Sequence, residues 1–302
     1  MPKPEQIAKA STLLEALPYL QDFRGKTFLI KVGGSAMENP GLVESLLRDI
    51  VFLEAVGINP VLVHGGGKAI SAAMAEAGLE PNFIGGLRVT DEKAIAIVSR
   101  TLCGVINPGL VETINQLGGD AVGISGDSVF IGRRLTPPHP ETGEPVDLGH
   151  VGQVCGFNDA PLQAAISEGI VPVLSPLARD EESGSPLNVN ADLAASALAV
   201  RLGVEKLIYL SDVRGVLRDP ASEESLVSTL DEARIDSLID DGTISGGMIP
   251  KVRSALDALH AGVGKVHLID GRIPHSLVLE IFTEDGIGTQ ILLEHDNAPS
   301  HS

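Results

Sequence analysis

Residues 26–37, KTFLIKVGGSAM, describe a short buried strand that ends in a lysine-bearing turn, passes through Gly33 and Gly34, and enters a helix. The stretch VLVHGGGKAISAAMAEAG at 61–78 repeats the arrangement with Gly65, Gly66 and Gly67. Five further runs share the strand character: NPVLVH (59–64), DAVGIS (120–125), IVPVLS (170–175), KLIYLS (206–211) and KVHLID (265–270). Most are separated by segments with apolar residues at 3 and 4 spacing, such as 39–57 and 91–118. Buried strands joined by helices predict a three-layer αβα sandwich with a central, mainly parallel sheet. Ligands in such sheets bind beyond the carboxyl ends of the strands, where both glycine turns fall.

The 302 residues, 43% hydrophobic, suffice for a sizeable core in one large domain or two lobes. With 22 basic against 40 acidic residues the net charge is −18, which repels polyanions and argues against nucleic-acid or anionic-membrane surfaces. An anionic ligand must then be met by a few placed cations and by backbone N–H groups. The two cysteines, Cys103 and Cys155, lack C-x-x-C spacing and read as reduced thiols of a cytoplasmic protein. Neither a secretory leader pattern nor an apolar run of about 18 residues is expected.

Upstream of the first strand, Ile7, Ala10, Leu14 and Leu17 form one helical stripe beside Leu13 and Leu20, with Pro18 set to kink or end the helix. That stripe packs either on its own domain or on another subunit. Residues 133–150, rich in Pro, Gly and Thr, predict a hairpin or flap.

Glycines after strands let backbone approach an anion closely, as helix N-termini do. Neither turn is a standard nucleotide fingerprint: Leu62 occupies the place where a G-x-x-x-x-G-K-[ST] motif needs its first glycine, and no G-x-G-x-x-G follows a strand. In GGLRVTD, Arg88 precedes a helix that Thr90 or Asp91 can cap, so its guanidinium can grip a carboxylate bidentately. LSDVRGVL ends a strand at Ser211 and Asp212, with Gly215 in the turn. SGGMIPKVRSALDA puts Lys251 at the first turn of a helix, where a cation is unfavourable unless an anion meets it. Taken singly, each has a bland alternative: Lys31 a strand-edge charge, Arg88 a surface ion pair, Lys251 a solvated helix residue, Asn188 or Asn190 a cap.

Their order along the chain resembles the amino-acid kinase family and, within it, the N-acetylglutamate kinases. The matching runs are IKVGGSAM, VHGGGK, GGLRVTD, GHVGQV, NVNADLAA, LSDVRGVL, GMIPKV and IFTEDGIGT, spread over residues 26–290. The opening LLEALPYLQDFRGKT is similar to the N-terminal helix of the arginine-inhibited, hexameric branch. The resemblance implies an oligomerisation helix at 1–25, an amino-acid lobe at 26–202 and an ATP lobe at 203–302. It implies phosphoryl transfer from ATP, carrying Mg²⁺, to the side-chain carboxylate of N-acetyl-L-glutamate, with Lys31, Lys251 and Asp192 catalytic. Asp192 would lie between the two lysines. Gly66, Gly67, Arg88, Asn188 and Asn190 would bind the acceptor, and Gly33, Gly34, Asp212, Gly215, Leu217, Thr243 and Ser245 the nucleotide.

A carboxylate acceptor is already ionised, so no general base is required; His64 is the one histidine near these positions. The task left is positioning and charge neutralisation. The resemblance further implies a hexamer, a trimer of dimers, joined through the N-terminal helix, and feedback inhibition by arginine bound among Tyr19, His267, Glu280 and Gly286, with Glu280 meeting the guanidinium. SGDSVF (125–130) departs from the family pattern and leaves Asp127 without an assigned role. Alternatives are a kinase for carrier-bound aminoadipate or glutamate, against which the acidic net charge argues where the carrier is itself acidic, and a non-catalytic sensor on the same fold.

Overall fold

The computed structural model describes residues 3–219 and 221–293. All six strands read from the sequence are present, as Thr27–Val32, Asn59–His64, Ala121–Ile124, Val171–Leu174, Lys206–Ser211 and Lys265–Asp270, and all run parallel. Thr289–Ile291 pairs antiparallel to Lys265–Asp270, and Thr229–Leu230 adds outside it to complete eight strands. The strand Thr27–Val32 lies centrally, between Lys206–Ser211 and Asn59–His64.

Alternation along that strand divides the core. Phe28, Ile30 and Val32 face the helices Pro40–Ala55, Asn107–Gln116 and Ser276–Ile281. Leu29 faces the other layer, with Ala194 and Ala195 of helix Ala191–Leu202 and Val252 and Ala255 of helix Met248–His260. Lys31 therefore projects towards the second layer and His64, in register with Val32, towards the first. Four short strands, Phe130–Arg134, Val151–Phe157, Leu177–Asp180 and Pro186–Val189, close into a small barrel beside the sheet. Residues 133–150 form the expected hairpin-like excursion, with Pro138 bridged to Pro145.

The long pattern at 91–118 becomes one continuous run with a π-helical segment, Leu102–Ile106, between Glu92–Thr101 and Asn107–Gln116. Pro108 explains the change of register: it has no N–H to give to the carbonyl four residues back, and the Asn107 N–H bonds instead to Leu102 O. Contrary to expectation, Glu92–Gln116 is long and apolar enough to cross a membrane by length and composition. Ala94, Ile95, Val98, Leu102, Leu110 and Ile114 are nevertheless buried in the core, which accounts for its apolar character.

The N-terminal segment breaks where Pro18 requires, into Pro4–Glu15 and Leu17–Phe23. Tyr19, Leu20 and Phe23 pack on the core, whereas Ile7, Leu13, Leu14 and Leu17 remain 54%, 72%, 67% and 44% exposed. The upstream part of the apolar stripe is therefore not covered by its own domain.

Candidate active site

The two glycine turns, at the carboxyl ends of adjacent central strands, line one cleft of about 230 Å³ with Lys31, Arg88, Asn188, Asn190 and Asp192. Gly33 passes directly beneath the Lys31 ammonium; a Cβ there would lie 2.6 Å from Nζ. Gly66 is as constrained, since its Cβ would meet Leu102 and Ile106 of the π segment, each at 2.7 Å. Gly66 caps and Gly67 begins helix Gly67–Glu76, so their N–H groups have no intrahelical acceptor.

Asp192 sits in the first turn of helix Ala191–Leu202. Its Oδ1 lies 2.7 Å from Lys31 Nζ and its Oδ2 2.8 Å from Lys251 Nζ, so one carboxylate bridges two ammonium groups. Burial raises its pKa, but the Lys31 and Lys251 charges outweigh this and hold the carboxyl below its ordinary value. Tyr209, which nothing in the sequence singled out, supports the arrangement: its hydroxyl reaches the Asp192 carbonyl at 3.4 Å and its ring lies under Lys251 Nζ. Burial raises the phenol to about 12, keeping it protonated.

Arg88 is 7% exposed on the hairpin Phe83–Ile84/Leu87–Arg88, with Asp91, not Thr90, capping the helix that follows. Its Nη2 donates to Gly67 O at 2.9 Å and Ser71 Oγ at 2.8 Å, and its guanidinium stacks 4.6 Å from the Phe83 ring centroid. Among the described residues no carboxylate pairs with it, so a buried, desolvated cation faces the cleft without an anion. Thr90 Oγ1 donates to Arg88 O and accepts from Asn188 Nδ2, tying Asn188 into this wall. Asn190 lines the cleft and also takes the cap role named as its alternative: its Oδ1 accepts from the N–H groups of Asp192 and Leu193 at the start of helix Ala191–Leu202. The cap fixes the turn that carries Asp192.

Asp212, Gly215 and Leu217 follow strand Lys206–Ser211 on the same edge of the sheet, and Thr243 and Ser245 precede the helix bearing Lys251. None of the five lines the Arg88 cleft, whereas Gly33 and Gly34, assigned with them from sequence, do. Gly215 has φ +134° and packs against Thr289, whose Oγ1 accepts the Val216 N–H at 2.8 Å. In the loop at 125–130, Ser125 donates to Asp127 Oδ1 at 2.5 Å, which gives Asp127 a local partner.

A second cavity, about 840 Å³, is lined by Tyr19, His267, Glu280 and Gly286 together with Lys206, Glu284 and Asp285. Glu280, expected to meet a guanidinium, already has partners within the fold. Its Oε1 is 2.7 Å from His267 Nδ1, and its Oε2 accepts the N–H groups of Ile287 and Gly288. Lys206 Nζ lies 3.2 Å from His267 Nε2, so a neutral imidazole accepts from the lysine and donates to the carboxylate. Asp22, Glu284 and Asp285 also line the cavity, carry no ion pair among the described residues and are the carboxylates left to meet a cation.

Burial holds His64 neutral down to about 4, and burial with the Lys206 charge does the same to His267. The unfolded chain protonates both near 6.5, so it binds more protons than the native state between those values. Stability is expected to fall as pH drops through this window, by up to about 1.4 kcal/mol per pH unit for each histidine. Urea unfolding at pH 7, 6 and 5 measures this; a midpoint unchanged across the range would contradict neutral burial.

The profile of the amino acid kinase family matches residues 26–270. An acetylglutamate kinase from Akkermansia muciniphila is 57% identical over 95% of this chain and 97% of its own, and one from Halothermothrix orenii is 48% identical over 96% and 99%. An N-acetylglutamate synthase from Neisseria gonorrhoeae, solved with coenzyme A and N-acetyl-glutamate, superposes with a TM-score of 0.80 at 28% identity, over 94% of this chain and 63% of that one. Carbamate kinase from Giardia lamblia, at 18% identity and a TM-score of 0.66, shares the fold. Near-full-length identity of this order, on top of an αβα sheet whose glycine turns and paired lysines converge on one edge, means that the chain belongs to the amino-acid kinase family, among its acetylglutamate kinases.

Proposed function

We propose that the chain transfers the γ-phosphoryl group of MgATP to the side-chain carboxylate of N-acetyl-L-glutamate, forming an acyl phosphate in arginine biosynthesis. The observation that carries this reading is the Lys31–Asp192–Lys251 bridge. Two ammonium groups fixed about one carboxylate supply the positive charge that a moving phosphoryl group needs at both ends of an in-line displacement. In this reading Lys31 acts from the acceptor side and Lys251 from the nucleotide side, while the amides of Gly33, Gly34, Gly66 and Gly67 receive phosphate and carboxylate oxygens. Arg88, with Asn188, holds the α-carboxylate and acetamido end. Asp212, Gly215, Leu217, Thr243 and Ser245 bind the nucleotide, within an ATP lobe at 203–302 opposite the amino-acid lobe at 26–202. Mg²⁺ enters as part of the substrate, held through phosphate oxygens and water, since both oxygens of Asp192 are occupied by lysines.

A hydroxamate assay tests the reading: purified protein, MgATP and hydroxylamine with N-acetylglutamate, free glutamate or aspartate. Product with N-acetylglutamate alone is expected; product with none would favour a carrier-bound acceptor or a sensor.

Arginine inhibition and assembly belong to the same proposal. The exposed stripe of Ile7, Leu13, Leu14 and Leu17 supports a helix that packs against another subunit, giving a hexamer built as a trimer of dimers. Because Tyr19 of the second helical segment lines the 840 Å³ cavity, arginine bound there would be coupled to that assembly. Deleting residues 1–24 is expected to leave a smaller oligomer in light scattering and to weaken arginine inhibition. A truncated protein that stays hexameric would remove this part of the proposal.

A further inference from the structure

His64 lies 0% exposed at the end of strand Asn59–His64, on the sheet face opposite Lys31, with its ring between the glycine turn and the π segment. It cannot act on an acceptor in the cleft from there. Three contacts determine its proton. Asn107 Nδ2 is 2.8 Å from Val173 O, and because a carbonyl only accepts, that end of the amide is the NH₂ group. The same Nδ2 is 3.2 Å from His64 Nε2, which must therefore be the lone-pair nitrogen. The proton then sits on Nδ1, which donates to Gly65 O at 2.9 Å.

The consequence runs through the peptide plane. No cis peptide bond occurs among the described residues, so the carbonyl of Gly65 and the N–H of Gly66 point in opposite directions. With the carbonyl drawn towards the buried imidazole, the Gly66 N–H is turned to the cleft side of the loop, which Gly65, Gly66 and Gly67 line. The π segment adds a second restraint. It ends at Asn107, which orients His64, and it packs Leu102 and Ile106 against Gly66.

We propose that His64, held as its Nδ1–H tautomer by Asn107, is a positioning residue that locks the Gly65–Gly66 peptide with the Gly66 N–H facing the reacting anion. The inference rests on the kinase reading above. An unlocked peptide can rotate and present the Gly65 carbonyl, replacing a donor with an acceptor where negative charge must be stabilised. Losing one such donor costs about 10²-fold or more in turnover.

Two substitutions separate the clamp from simple packing. His64→Asn keeps an N–H where Nδ1 stood and loses the contact to Asn107. His64→Gln keeps a polar group near the Nε2 position and loses the donor to Gly65. Turnover is expected to stay within about tenfold of the parent in His64→Asn and to fall about 10²-fold in His64→Gln, with the acceptor KM changed less than kcat in both. Activity should follow the clamp and not the melting temperature. Equal turnover in the two variants, or a ranking that follows melting temperature, would overturn the proposal. The tautomer is read independently on the wild-type protein from histidine side-chain ¹⁵N resonances, which needs no variant to fold. A bare Nε2 is expected; a protonated Nε2 would overturn the proposal. Wild-type protein inactive with every acceptor would sink the kinase reading instead, leaving the tautomer to decide the loop geometry.

Discussion

Replacing Asp192 with asparagine is expected to lower kcat by about 10²-fold or more while leaving the KM for the acceptor within a few-fold. The reason is electrostatic. Lys31 and Lys251 each sit within 2.8 Å of a different oxygen of one carboxylate. Two ammonium groups on the order of 5 Å apart repel by about 3 kcal/mol at an effective dielectric constant near 20. The carboxylate cancels that repulsion; an asparagine amide accepts from one lysine and presents an N–H to the other. One ammonium must then move away or lose its proton, and either change removes charge stabilisation that matters most once the phosphoryl group is in flight. Steady-state kinetics with Asp192→Asn and Asp192→Glu would check this; a loss confined to KM would contradict it.

The pH behaviour of this group follows from the direction of its shift. Asp192 titrates below its ordinary carboxylate value when folded, so its contribution to stability is fully present above the unfolded value and is lost only as pH falls through the folded one. Across the neutral range Asp192 stays ionised. Loss of stability between pH 6.5 and 4 therefore belongs to the buried histidines and not to the bridge.

The parallel sheet was legible because its strands are buried on both faces and so stand out as unbroken apolar runs, such as TFLIKV and KLIYLS. Of the chemistry, the lysines, Asp192 and its place between them were legible through family order and not through spacing: Lys31 and Asp192 are far apart in sequence and meet because the Lys31 strand lies against helix Ala191–Leu202. Asn107, Leu102 and Ile106 were not legible. They lie inside a long apolar pattern whose period looks α-helical, and the sole local signal was Pro108, whose missing N–H forces the π register that places them. Glu280 shows the converse. The resemblance offered it as a partner for a guanidinium, and only the fold reveals that it already accepts from His267 and two backbone N–H groups.

Arg88→Lys is expected to raise the KM for N-acetylglutamate by about 10²-fold with a smaller change in kcat and none in the KM for ATP. Gly67 O, Ser71 Oγ and the Phe83 ring fix the guanidinium plane, and a lysine has neither the planar fork nor the stacking face to use them. The same argument fixes which part of the acceptor is at stake. If Arg88 binds the α-carboxylate, the parent enzyme should discriminate strongly between N-acetylglutamate and 4-acetamidobutyrate, which lacks that group, and Arg88→Lys should discriminate far less. The two substitutions, one in the protein and one in the substrate, form a cycle whose coupling reports the contact itself. Should the variant lose the same factor with both acceptors, Arg88 would be supporting the Gly67 turn through its bond to the carbonyl, and the carboxylate would have to be held elsewhere. The cycle thereby separates the two tasks that this one buried guanidinium is placed to perform.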